Sequence, residues 1–496
     1  MPVPAAQPLP GTRLEAGPFP QGPDGGELLF DTTARAADGS RICRQSILDA
    51  VCSMLGRAVD LALVDCFLWN DWEGPVPAGA GSPANTLVDA LLALRAARPA
   101  ATILVLTDPI NRAYGRHPSA PLARLIAGGV PVIWTDLDRM PDSNRIFSPP
   151  ARLCARLLQR SPTVRRWFDA PARHPFLPGG PPVRRADLVR LLHFKANHRK
   201  VVVTDSPEGR LHALVASWNP HDGSAAHTNV ALRFGGEAAR AAARAELDCM
   251  AWSARRPGYV SGVSPAEAAR SIDRARLFLT GPPEPTPAAG YATGPRLTWL
   301  TEDAIRRTLL EQLQAAGAGD TLRVALFYLS DRGVIAALAA AVRRGAAVRL
   351  ILDPNRDAFG RTKNGIPNRV TAPALRRRVA RQPGAGSLAI RWADTRGEQF
   401  HVKALSVART SGGCLLLGSG NWTRRNLAAY NLEADVLLEQ DAGTRQVFDA
   451  WFDACWDNAA GLACTLPFEA YAETGPRLWF KTVLGWVQEA TGLGTF

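Results

Sequence analysis

Short apolar runs recur along the chain, many closing on a turn-forming residue and several followed by an alanine- and leucine-rich stretch of helical period. LALVDCFLWND (61–71) and TLRVALFYLSD (321–331) are two such runs, each ending in an aspartate. Both predict buried strands. The stretches from Thr86 to Arg98 and from Val334 to Arg344 predict the helices that follow. ATILVLTDPINRAYGR (101–116) and VRLILDPNRDAFGR (348–361) then repeat one plan, a β run broken at Asp-Pro, an aromatic residue and Gly-Arg. A third strand pair follows as VPVIWTDLD (130–138) and LAIRWADTR (388–396). The chain is therefore a duplication with a period far beyond that of solenoid repeats.

Strands alternating with helices predict an α/β protein of two similar lobes related by pseudo-two-fold symmetry, each a mixed, largely parallel sheet flanked by helices. The predicted division is a poorly ordered extension at 1–40, a first lobe at 41–280, a Pro/Gly-rich linker at 281–296, a second lobe at 297–470 and an amphipathic aromatic segment at 471–496. In that last segment Trp479, Phe480, Val483, Leu484 and Val487 fall at helical spacing. Docking on the protein's own core is the expected use of this face, and a bilayer interface is the alternative.

The last three paired elements carry the reactive residues. They are NHRKVVVTD (197–205), LHALVASWNP (211–220) and HTNVALRF (227–234) against FHVKALSVA (400–408), CLLLGSGNWT (414–423) and YNLEADVLL (430–438). His198 precedes Asn219 by 21 residues and His401 precedes Asn421 by 20, while Asn229 and Asn431 each follow by 10. Residues two apart on a strand share a face, so His198 with Lys200 and His401 with Lys403 can each address one anion. Ser217 with Asn219, and Ser419 with Asn421, form a second pair of the same kind. An imidazole, an ammonium and neutral hydrogen-bonding groups suit a phosphodiester better than a carbonyl or a sugar. Asp108 and Asp353, at the Asp-Pro breaks, are explained equally by turn chemistry and by a place at the site's mouth.

This doubled set resembles the phospholipase D superfamily, whose signature is His-x-Lys, four residues, Asp, and a downstream Gly/Ser-x-Asn, once per half. His198, Lys200, Asp205, Ser217 and Asn219 match the first copy, with Ala216 where glycine is usual. His401, Lys403, Gly418, Ser419 and Asn421 match the second, with Ala408 at the position of the aspartate. The resemblance implies metal-independent displacement at phosphorus through a phosphohistidine, no cofactor, a second histidine as general acid, and a mainly scaffolding aspartate. Within it, Glu433 is expected to accept from a ring N–H of His401 and suit that histidine to the acid role, its counterpart in the first half being Ala231. His198, with no carboxylate, is then the nucleophile. The opposite arrangement, a carboxylate behind the nucleophile, is also common. Ser217, Ser419, Asp205, Asn229 and Asn431 complete the expected substrate-contacting set.

Composition narrows the partners. Hydrophobic residues make up 46% and charged residues 21% of 496 residues, as in folded globular proteins. A net charge of +13 attracts phospholipid headgroups, nucleic acid or phosphate esters. Only five of the 58 basic residues are lysine, and two of them sit in the His-x-Lys pairs. The eight cysteines include no C-x-x-C pair and are expected to be reduced. His193, Lys195, His212, His221 and His227 crowd the first motif at spacings that match no standard zinc site, so no metal is expected. With no secretory signal visible and no apolar run long enough to span a bilayer, a cytoplasmic protein is expected, with peripheral contact at an anionic inner membrane or signal-independent secretion as further options.

Three functions fit. A phospholipase D or phosphatidyltransferase, cardiolipin synthesis included, leads. A nuclease or other nucleic-acid phosphodiesterase is the second, although basic residues are not interleaved with aromatics for base stacking. A non-catalytic binding descendant, suggested by Ala408 and Ala231, is the third. One chain holds both half-sites, so a monomer suffices.

Overall fold

The computed structural model describes residues 8–22, 25–72, 81–144, 147–158, 160–281, 294–358, 361–382, 384–410 and 412–492. Most of the expected linker, 282–293, lies outside them. Among the described residues two nine-stranded mixed sheets form. The first runs in the order Val260–Ser261, Val132–Trp134, Thr102–Thr107, Leu61–Cys66, Lys200–Asp205, Leu211–Ala216, Asn229–Gly235, Glu27–Arg35, Arg41–Arg44. The second runs Thr465–Pro467, Ser387–Ala393, Ala347–Leu352, Thr321–Leu326, Lys403–Arg409, Gly412–Gly418, Ala434–Glu439, Arg296–Thr301, Glu15–Pro20. The two lobes expected from the repeat are present.

Parallel pairing is narrower than expected. Within each sheet, among the described strands, only the helix-connected ones pair in parallel: Leu61–Cys66 with Thr102–Thr107 and then Val132–Trp134, and Thr321–Leu326 with Ala347–Leu352 and then Ser387–Ala393. The motif strands are joined by tight connections, which require antiparallel neighbours.

The N-terminal region corrects the expectation of a poorly ordered extension, residues 1–7 lying outside the description. Glu27–Arg35 pairs with Asn229–Gly235, in the place that Arg296–Thr301 takes beside Ala434–Glu439. It is the first strand of the first repeat. Glu15–Pro20 crosses to the second sheet and pairs with Arg296–Thr301. Its prolines suggested disorder, yet an edge strand is where a sheet tolerates them.

Alternation along the strands builds three cores. Leu63, Val201, Val203 and Val215 of the first sheet meet Val402, Ala404, Leu417 and Val436 of the second in one shared core, with the helices Gly236–Ala254 and Ala442–Asp457. The outward faces are covered separately. Ile47–Arg57 and Pro83–Ala97 pack on the first sheet, and Asp303–Ala315 and Arg332–Arg343 on the second.

Candidate active site

The two lobes meet where each motif strand begins. Asn197 pairs in parallel with Leu432, and Thr228 with Phe400. The His198 N–H donates to the Leu432 carbonyl at 2.8 Å, and the His401 N–H to the Thr228 carbonyl at 2.8 Å. Each histidine is therefore anchored by backbone from the opposite half. The residues before them are held alike, because Asp108 accepts from the Asn197 N–H at 2.7 Å and Asp353 from the Phe400 N–H at 2.7 Å. Both Asp-Pro breaks are thus structural clamps that place the motif strands.

The two imidazoles face each other with ring centroids 6.3 Å apart. Phe67 lies 5.0 Å from the His198 ring and Phe327 4.9 Å from the His401 ring. The ammonium groups repeat the symmetry: Lys200 Nζ donates to the His198 carbonyl at 2.5 Å and Lys403 Nζ to the His401 carbonyl at 2.6 Å. Each also sits 5.2 Å from its phenylalanine ring. His198 is 8% and His401 6% exposed, so only a narrow opening reaches them. Phe67 and Phe327 were not singled out in the sequence. Their signal was there, as each occupies the seventh position of its repeated run.

The ring nitrogens break the symmetry. His198 Nδ1 donates to Glu433 Oε2 at 2.9 Å, whereas His401 Nδ1 donates to the Ser217 carbonyl at 2.7 Å. Glu433 therefore serves the opposite histidine from the one expected. Backbone pairing explains the error. Ser217 N–H donates to the Val230 carbonyl and Ser419 N–H to the Ala434 carbonyl, so Glu433 corresponds to Asn229 and Asn431 to His227. The equal offsets of ten residues were coincidental, and Ala231 is not the counterpart of Glu433.

Burial lowers the pKa of His198, helped by the charges of Lys200 and Lys403, and lifts Glu433 to about 7. The His198 shift favours a neutral ring that keeps a lone pair on Nε2, and Glu433 accepts its Nδ1–H fully only once the carboxyl ionises above about 7. Ser419 Oγ donates to Glu433 Oε2 at 2.5 Å, and Asn426 Nδ2 donates to Oε1. Asn426 was missed because it lies in a loop outside the repeated strands. Burial also lowers His401, with Lys403 adding repulsion, and brings Lys200 down to about 8.

The expected substrate-contacting set is mostly committed to the protein itself. Ser217 Oγ donates to Asn229 Oδ1 at 3.3 Å, and Asn229 Nδ2 donates to Asp31 at 3.3 Å. Asn431 Oδ1 accepts from the Ala196 N–H at 3.2 Å. Asp205 lies at the far end of its strand and accepts from the N–H groups of Val59, Asp60 and Leu61. Asn219 Oδ1 accepts from the Leu68 N–H at 3.4 Å, while Asn421 Oδ1 is buried with no partner among the described residues.

His227 stands beside the pair, its ring 5.9 Å from that of His401. Its Nδ1 accepts from the Gln399 N–H at 3.3 Å, as Asn431 accepts from Ala196.

A family model described as the cardiolipin synthase, phospholipase D-like domain matches residues 309–456. No curated protein matches the chain in sequence. A solved phosphatidylserine synthase from Haemophilus influenzae is similar over 97% of this chain and 96% of its own, at 12% identity and a TM-score of 0.51. The phospholipase D family member Nuc from Salmonella typhimurium is similar over 35% of this chain and 98% of its own, at 17% identity and a TM-score of 0.27. Residues 309–456, which hold the second half-site, are thus similar to a phospholipase D-like domain, and the duplicated fold is shared along nearly the whole chain with a solved phosphatidylserine synthase.

Proposed function

We propose that the protein transfers the phosphatidyl group of a phospholipid to water or to an alcohol through a phosphohistidine on His198. The observation that carries this reading is the asymmetry at the two ring nitrogens. Glu433 fixes the His198 tautomer and stabilises the positive charge that its ring gains on attack. A backbone carbonyl, the partner of His401, stabilises such a charge less, which suits His401 to exchange a proton rather than to hold phosphorus.

In the first step His198 Nε2 forms a bond to phosphorus, the bond to the headgroup oxygen breaks, and His401, entering as an imidazolium favoured by the bound phosphodiester anion, gives its Nε2 proton to that oxygen and is left neutral with Nδ1–H on the Ser217 carbonyl. In the second, an incoming hydroxyl gives its proton to His401 and attacks phosphorus, and the P–N bond breaks. Lys200 and Lys403 neutralise the non-bridging oxygens. Asn421, whose buried amide oxygen has no partner among the described residues, is the candidate to orient the incoming hydroxyl.

The test is phospholipid turnover in excess EDTA with ethanol as acceptor. Phosphatidylethanol formed by the wild type and reduced at least about 10⁴-fold in His198→Ala is the expected result. Turnover of single-stranded DNA with none of lipid would assign the same chemistry to nucleic acid.

A further inference from the structure

The helix Gly475–Thr491 has two unlike sides. Leu484 packs on the cluster of Phe327, Tyr328 and Ile366, the same Phe327 that walls His401. Glu489 accepts from Ser330 Oγ at 2.9 Å and from the Arg424 N–H at 2.9 Å. Past its end, Gly492 has φ +73, and a Cβ there would fall 2.5 Å from the Ser143 carbonyl of the first lobe. Arg424 Nη2 donates to that same carbonyl at 3.2 Å. One side of the helix is thus pinned across both lobes beside the catalytic slot.

The other side is uncovered. Trp479 is 69%, Phe480 62% and Trp486 56% exposed, with Val483 and Val487 between them. The Arg332 guanidinium stands 5.9 Å from the Trp486 ring. Next to Trp486 opens a cavity of about 620 Å³ whose lining includes Arg13, Arg306, Arg307, Arg332 and Arg424 against Asp303, Asp331 and Glu489. Among the described residues no helix is long and apolar enough to cross a membrane.

We propose that this aromatic face, with the arginines at its edge, seats the protein on a membrane surface bearing anionic lipids and sets the slot against the bilayer. Indole and phenyl rings partition into the headgroup boundary, and an adjoining excess of arginine is attracted to anionic headgroups. A second copy of the chain fits poorly, because a two-fold contact would set one basic edge against another. The proposal extends the phospholipid reading, yet its test requires no turnover.

Full-length protein is floated with vesicles of phosphatidylcholine alone, or of phosphatidylcholine with about one-third phosphatidylglycerol. Three proteins are compared: wild type, the triple variant Trp479→Ala/Phe480→Ala/Trp486→Ala, and His198→Ala. Wild type and His198→Ala should bind the anionic vesicles equally, with binding weakened by salt. The triple variant, folded by circular dichroism, should bind at least about tenfold more weakly. Wild-type protein that binds neither vesicle, or a triple variant that binds as wild type does, overturns the proposal. So does a wild-type dimer in sedimentation that the triple variant abolishes, which would assign the face to a second copy. Loss of turnover in His198→Ala with binding retained separates docking from chemistry.

Discussion

At the scale of single residues, what distinguishes the two histidines is the partner of Nδ1. Glu433 is lifted to about 7 by burial, so it is protonated as the pH falls below that value and its hold on the His198 tautomer weakens. Activity should therefore rise with pH through about 7. Glu433→Gln should lower kcat by about 10² and flatten that acid limb, which a kcat against pH profile measures. A variant with reduced kcat and an unchanged limb would place the titration elsewhere. His227 supplies a second residue-scale prediction. Burial lowers it to about 3, so the folded state keeps it neutral while the unfolded chain protonates it near 6.5. Its contribution to stability is present above about 6.5 and is lost as the pH falls toward about 3. His227→Asn, which copies Asn431 and retains an acceptor for the Gln399 N–H, should recover roughly 2–3 kcal/mol of the stability lost between pH 7 and pH 4 in urea unfolding.

At the scale of elements, each motif strand separates chemistry from scaffolding by alternation and by length. His198 and Lys200 point to one face, and Arg199 between them points into the shared core. Asp205 ends the strand and gathers the N–H groups that lead into Leu61–Cys66. Asp205→Ala should destabilise the fold by about 2 kcal/mol in urea while leaving kcat and KM unchanged, since the carboxylate accepts from the backbone N–H groups of Val59, Asp60 and Leu61 at the strand end away from the histidines. Ala408, which pairs with Thr321 at the equivalent position, has no carboxylate to make that scaffold contact. The strand–helix alternation, the motif strands and the C-terminal helix were legible from periodicity. The strand Glu27–Arg35 was not, because ELLFDTTAR lacks clean alternation and stands amid prolines and glycines. The C-terminal helix was legible as amphipathic, but its expected inward face is largely the outward one. Periodicity reports that a helix has two faces and not which of them finds a partner.

At the scale of the whole molecule, the two lobes are joined by a shared core and by buried ion pairs. Arg199 Nη1 donates to Glu246 at 3.2 Å within the first lobe, and Nη2 to Glu302 at 2.7 Å at the start of the second. Glu302 in turn accepts from the Glu433 N–H at 3.0 Å, so this buried ion cluster touches the backbone of the residue that orients His198. Removing one member leaves uncompensated buried charge. Arg199→Ala should cost about 3–5 kcal/mol and lower the midpoint of a single calorimetric transition, because the two sheets share one core. Two resolved transitions would show that the lobes unfold independently.

By itself the sequence determined the duplication, the α/β class and the two His-x-Lys pairs that the fold brings together, because each is written in local pattern: apolar period, Asp-Pro breaks and a reactive pair two residues apart. Only the tertiary structure decided which carboxylate meets which histidine, which polar residues face the slot, and which side of the C-terminal helix stays bare. Those outcomes depend on strand register and on packing between segments as distant as His198 and Glu433, and spacing along one chain does not encode register across two.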